Sequence, residues 1–118
     1  MIKNIKISLF MLVLICQPAI SGEVTGKITK IEFAAQEFRT YSTNTVGVAF
    51  IFMDELPKAC SGQSHDNRVA ISTDHPLYTS VVSGSLAAKA SGMDVRMLYV
   101  DECSVWNTAW DFSVMWIQ

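Results

Sequence analysis

Charge is scarce in this chain of 118 residues: Asp, Glu, Lys and Arg make up 17%, against 50% apolar residues. That balance excludes a disordered or coiled-coil chain. No apolar stretch approaches the roughly 20 residues that a membrane-spanning helix needs. There is no internal repeat, low-complexity tract or Pro/Gly/Ser-rich linker, so a single domain is expected. Cys-x-x-Cys, closely spaced histidine pairs and Gly-x-Ser-x-Gly are also missing. Their absence removes the usual sequence signals of redox, zinc and serine-hydrolase chemistry.

What is present begins with a leader. Lys3 and Lys6 precede an apolar run from Ile7 to Cys16, broken only by Ser8, and Ala19 and Ser21 occupy the −3 and −1 positions. This pattern predicts a secretory signal peptide over residues 1–21, cut after Ser21 or Gly22, and a mature domain over 22–118. Ile15 stands before Cys16 where a lipoprotein signal wants a small residue, so no lipid anchor is expected. The protein is expected to be periplasmic or secreted.

Removing the leader takes Lys3 and Lys6 from nine basic residues and leaves all eleven acidic ones, so the net charge moves from −2 to about −4. An acidic domain lacks the electrostatic footprint that phosphate backbones require, and nucleic acid is excluded as a partner. Two cysteines remain, Cys60 and Cys103, on an export route where disulfides persist. A cross-link between them is expected. In the chain-entropy model it stabilises the fold by about 4 kcal/mol.

The periodicity predicts five strands and one helix. Val24 to Phe33 reads as a strand whose apolar parity changes between Ile28 and Ile31, which implies a bulge near Thr29. The polar segment Gln36 to Asn44 fits a loop or a strand start. Thr45 to Met53 is apolar on both parities, as in a strand buried on both faces or in a closed barrel. Asp54 to Asn67 is a loop carrying Cys60, and Arg68 to Ser72 is a short strand. Asp74-His75-Pro76 reads as a helix start, and Gly92 as the left-handed stop. Gly84, Ser85, Ala87 and Ala88 keep this helix thin enough for close packing. Val95 to Val100 is the fourth strand. In the fifth, Trp110, Phe112, Val114 and Trp116 share one parity and are expected on one face. The fold class is therefore α+β, mainly β: a small OB-like five-stranded Greek-key barrel with its helix between strands three and four.

A leader, a Gly-x-Ile-x-x-Ile strand (Gly26, Ile28, Ile31), a central cysteine, a helix ending Ala88 to Gly92 and a Val95-Arg-Met-Leu-Tyr99 strand before a second cysteine make a recognisable layout. It resembles a group of small exported proteins of Gram-negative bacteria. More remotely, over Tyr78 to Tyr99, it is similar to the B subunits of subtilase-cytotoxin-like and pertussis-like toxins, which share a helix ending in Gly before a Val-Arg strand. The toxin resemblance implies an OB-like barrel, export, non-catalytic binding and a ring of subunits. No sugar-binding motif of those subunits matches here, so no ligand residue is carried over.

Candidate chemistry is sparse. His65-Asp66 and Asp74-His75 are the histidine–carboxylate neighbours, but adjacent side chains diverge, and a solvated loop and a helix cap explain them better than a metal does. Ser83-Gly84-Ser85 falls mid-helix, where hydroxyls bond the backbone or allow close packing. Asp54-Glu55 and Asp101-Glu102 are turn carboxylates. No catalytic residue, metal or cofactor is expected. Trp106 differs from the other tryptophans: it lies in the connection before the last strand, where OB barrels bind oligosaccharides. It is the candidate ligand-binding residue, against the alternative of a lid over the barrel end beside Cys60 and Cys103. The reading is an exported binding or assembly module, with a glycan, an envelope protein or further copies of itself as partner. A monomeric periplasmic accessory protein without a small-molecule ligand and a small secreted hydrolase are the alternatives.

Overall fold

The computed structural model describes residues 21–35, 46–60 and 67–118. Residues 1–20 of the leader, the Gln36–Asn44 segment and His65-Asp66 lie outside them. The elements are β1 (Ser21–Gly26), β2 (Ile28–Ala35), β3 (Gly47–Met53), β4 (Arg68–Ser72), α1 (Tyr78–Ser91), β5 (Val95–Val100) and β6 (Trp110–Ile117). They form a mainly-β domain with one mixed sheet in the order β1-β5-β6-β4-β3-β2. All neighbours are antiparallel except β4 and β6, which run parallel at Val69↔Trp110 and Ala70↔Asp111.

Two expectations are corrected here. Among the described residues there are six strands, not five, the helix follows the fourth of them, and the sheet is not closed into a barrel. The extra strand comes from a break at Lys27. β1 pairs with β5 and β2 with β3, so what reads as one strand is two halves at opposite sheet edges. One residue spans at most about 7 Å between its neighbours, so the sheet must curl until those edges approach at Lys27. The Lys27 ammonium fastens this corner, bonding the Gly92 carbonyl at 2.6 Å and Asp94 at 2.9 Å. A cation at a helix C-terminus is favourable because the last carbonyls are otherwise unpaired.

β2 shifts register between Ile28 and Lys30, at Thr29, as its parity change requires. The bulge lets Ile28 and Ile31 both face the helix side. β3 is buried on both faces: Ala49, Ile51 and Met53 belong to the cluster under α1, while Val48, Phe50 and Phe52 belong to a second cluster on the opposite face. At the first sheet edge Gly22 lies directly opposite Tyr99, whose ring covers it; a Cβ there would meet the ring at 2.2 Å.

α1 rests on β2 and β6 and buries Val81, Ser85 and Ala88. The small residues act as expected at two points. Ser85 is fully buried against the Met115 sulfur (3.4 Å), and a Cβ on Gly84 would touch Ile117 at 3.0 Å. Gly92 ends the helix at φ 65°, with the Gly92 and Met93 amides bonding the Lys89 and Ala88 carbonyls, a Schellman arrangement. The helix start differs from expectation. The Ser72 hydroxyl donates to the Asp74 carboxylate, two tight turns follow (His75 N–H to the Ser72 carbonyl, Tyr78 N–H to the His75 carbonyl), and the helix begins at Tyr78. His75 Nδ1, not Asp74, accepts the Leu77 amide at 3.0 Å.

The last strand carries a further correction. Leu98 faces Val114, but Tyr99 faces Phe112, so Ser113 is an inserted residue. This bulge flips the parity within the aromatic run. Trp110 and Phe112 join the helix-side core, while Val114 and Trp116 emerge on the other face, Trp116 with 40% of its surface exposed. Arg96 caps the Trp116 ring at 4.5 Å and pairs with Glu23 across from β1.

Candidate functional site

The face of the sheet away from α1 holds the richest chemistry, and cross-strand register builds it. Lys30, Phe52 and Arg68 form one row across β2, β3 and β4; Glu32, Phe50 and Ala70 form the next. Period-2 alternation turns these residues to the same side. Arg68 is the centre. Its guanidinium lies 4.2 Å from the Phe50 ring centroid and 5.4 Å from that of Phe52. Nη2 donates to Thr108 Oγ1 at 2.6 Å, Nε donates to the Thr108 carbonyl at 3.3 Å, and Nη1 lies 4.0 Å from Glu32. The side chain is 14% exposed, so its charge is held in place by partners while one edge stays wet. Lys30 stands 5.0 Å over Phe52 and 3.3 Å from Glu32.

Trp106 arrives from the connection between β5 and β6. A turn closed by the Ala109 amide on the Trp106 carbonyl (3.2 Å) shapes the approach. The indole meets Phe50 edge-on, centroids 5.1 Å apart at 83°. The Asp111 carboxylate braces the same connection by accepting the Ser104 and Val105 amides and the Ser104 hydroxyl. Beside this cluster a cavity of about 390 Å³ is floored by Phe52 and walled by Lys30, Glu32, Arg68, Asp54 and Asn67. Two cations and two carboxylates around an aromatic ring suit a polar ligand with an apolar face.

The disulfide Cys60–Cys103 is present, with Cα atoms 6.5 Å apart, tying the loop after β3 to the Trp106 connection. Trp110 is core, its indole N–H bonding the Pro57 carbonyl at 2.9 Å and its ring 5.2 Å from Tyr99. Trp106 lies on the open sheet face against Phe50. Arg68, Phe50, Phe52 and Lys30 were not expected at a site. Their signal was the matched parity of Lys30 and Glu32 with Phe50 and Phe52, invisible until the strands are paired.

The remaining candidates disperse. His75 packs edge-on against Phe112 at 5.9 Å, and Asp74 is engaged by Ser72. Asp54-Glu55 and Asp101-Glu102 are exposed. Among the described residues no three His, Cys, Asp or Glu side chains gather as metal ligands, and no helix is long and apolar enough to cross a membrane. Three groups on β1 and β5 are perturbed: Tyr99, Glu23 and Arg96. Burial, with Asp101 adding to it, pushes the Tyr99 phenol above its usual range. Hydrogen bonding to Arg96 holds the Glu23 carboxyl below its own. Comparison with protein-family models, curated proteins and solved structures finds no match for the chain.

Proposed function

We propose that the mature chain is an exported, non-catalytic binding module that takes an oligosaccharide on the open face of its sheet. The observation that carries this reading is the Arg68–Phe50–Phe52–Trp106 cluster beside a polar cavity. Phe52 offers a ring for the apolar face of a sugar once the exposed Lys30 side chain that stands over it turns aside; Glu32, Asp54 and Lys30 offer acceptors and donors for its hydroxyls.

The sheet is read as an open, OB-like arrangement in which β1 and β2 are the two halves of one bent strand. The strand order and the single residue between β1 and β2 support this. OB folds take extended ligands over their second and third strands and the loops beside them. In this chain those strands are β3 and β4, and the neighbouring connection is the one that carries Trp106. A disulfide and the lack of a membrane-crossing helix among the described residues are compatible with a non-cytoplasmic protein.

A glycan array followed by calorimetry on the strongest hit tests the reading. Phe52→Ala and Trp106→Ala are each expected to weaken binding roughly tenfold or more, the scale of one lost aromatic contact. Array-wide absence of binding, or binding that ignores both substitutions, contradicts it.

A further inference from the structure

The sheet has three open edges among the described residues, and they are not equally defended. β1 carries Glu23 and is followed by Lys27, and β2 carries Lys30 and Glu32. Charged side chains of this kind keep a free edge from pairing with another chain. The third edge is the second half of β6. β4 reaches only as far as Ser72 and pairs with β6 at Trp110 and Asp111, so beyond them β6 has β5 on one side alone. From Phe112 to Gln118 it has no charged side chain.

The backbone of this segment is aimed outward at alternate residues. The Gln118 amide bonds the Asp94 carbonyl at 3.0 Å, which makes Gln118–Asp94 a hydrogen-bonded pair. Alternation then assigns Trp116–Arg96 and Val114–Leu98 to the same class. Met115 and Ile117 are the other class, so their N–H and C=O groups point away from β5. A groove of about 410 Å³ follows this edge. It is lined by Val114 from one face of β6, by Met115 and Ile117 from the other, and by Leu77 and Val81 of the helix start. Leu77 is 49% exposed and Ile117 43%.

We infer that this edge pairs with the same edge of a second copy, giving a two-fold symmetric dimer with a continuous sheet. Charge selects the occupant. An edge without charged side chains meets its own copy without like-charge repulsion between side chains, whereas β1 or β2 of another copy would bring Glu23, Lys30 or Glu32 against an apolar groove. Size agrees with it. Antiparallel pairing centred on Met115 sets Val114 against the partner subunit's Trp116, small against large, twice. It also sets Ser113 against the partner subunit's Ile117. The contact goes beyond the ligand reading and stands whether or not a glycan binds. It is short, five residues of strand, so a weak, concentration-dependent dimer is expected.

Sedimentation of the mature, oxidised protein over a wide concentration range tests it. The expected result is a monomer–dimer equilibrium that Ile117→Lys weakens roughly tenfold or more, by placing a charge in the groove. Adding Ser113→Glu to that variant restores the dimer, because each new carboxylate faces the partner's new ammonium. Met115 and Ile117 amides of the unmodified protein exchange more slowly as concentration rises. A monomer at millimolar concentration, a ring of three or more copies, a dimer indifferent to I117K, or one that S113E/I117K fails to recover overturns the inference.

Discussion

The two faces of β3 bury side chains of similar apolar character by different means. On one, Ala49, Ile51 and Met53 share a core with Val95, Met97 and Tyr99 of β5 and with Val81 and Ala88 of α1. On the other, Phe50 and Phe52 lie beneath Arg68, Lys30 and Trp106, with no helix or strand above them among the described residues. The first cover is regular secondary structure that must unfold to move; the second is a set of side chains that can change rotamer. A sheet face closed only by side chains is one that a ligand can enter at small cost, and that difference is the reason the proposed site is assigned to the side away from the helix.

The largest expected effect breaks the comparison altogether. The Cys60–Cys103 link crosses 43 residues and anchors the connection that brings Trp106. Cys60→Ser/Cys103→Ser is expected to cost about 4 kcal/mol in urea unfolding, with both faces melting in one transition. Separate transitions for Trp106 and Trp110 fluorescence would show instead that the faces are independent.

Next in size, Ile51→Ala under the helix is expected to cost about 2–5 kcal/mol, the range for a fully buried aliphatic residue that leaves a cavity. Trp106→Ala on the open face is expected to cost about 1–2 kcal/mol, since solvent refills the space. Equal losses would erase the distinction between the faces. Denaturant midpoints at unchanged m values decide it.

The smallest effects come from pH. Tyr99, on the helix side, has its phenol held neutral by burial. Because its folded value is raised, its contribution is complete below the ordinary phenol value of about 10 and is lost only as pH climbs from there through the raised folded value. Tyr99→Phe should flatten the alkaline limb of a stability profile. Glu23, across the sheet beside Arg96, works in the opposite sense: its contribution is present above the ordinary carboxylate range and fades as acid protonates it. The pair is exposed, so Glu23→Gln is expected to shift only the foot of the acid limb.

How much of this was legible in the sequence follows from where each feature is determined. The bounds of β4, β5 and β6 were readable, because local alternation between polar punctuation defines them. So were the Thr29 bulge, which a parity change announces, and the Gly92 cap, which a left-handed φ demands. The division at Lys27 was not, because nothing local there breaks a strand; the two halves separate only through their different partners. The Ser113 bulge was hidden for the same reason: Trp110, Phe112, Val114 and Trp116 alternate perfectly, and only pairing with β5 reverses the last two. Within the site, Trp106 stood out because it lies in the connection before the last strand, outside that strand's alternating run. Arg68 began a short strand like any surface residue, and three-strand register was needed to lay it over Phe50.

The most direct measurement of the central claim is a two-dimensional amide and indole NMR titration of the oxidised protein with its best array glycan. The account predicts shifts at Lys30, Phe50, Phe52, Arg68 and Trp106, with the helix residues Val81, Ser85 and Ala88 unmoved. Shifts centred on the helix or its groove, with the open face silent, would contradict it.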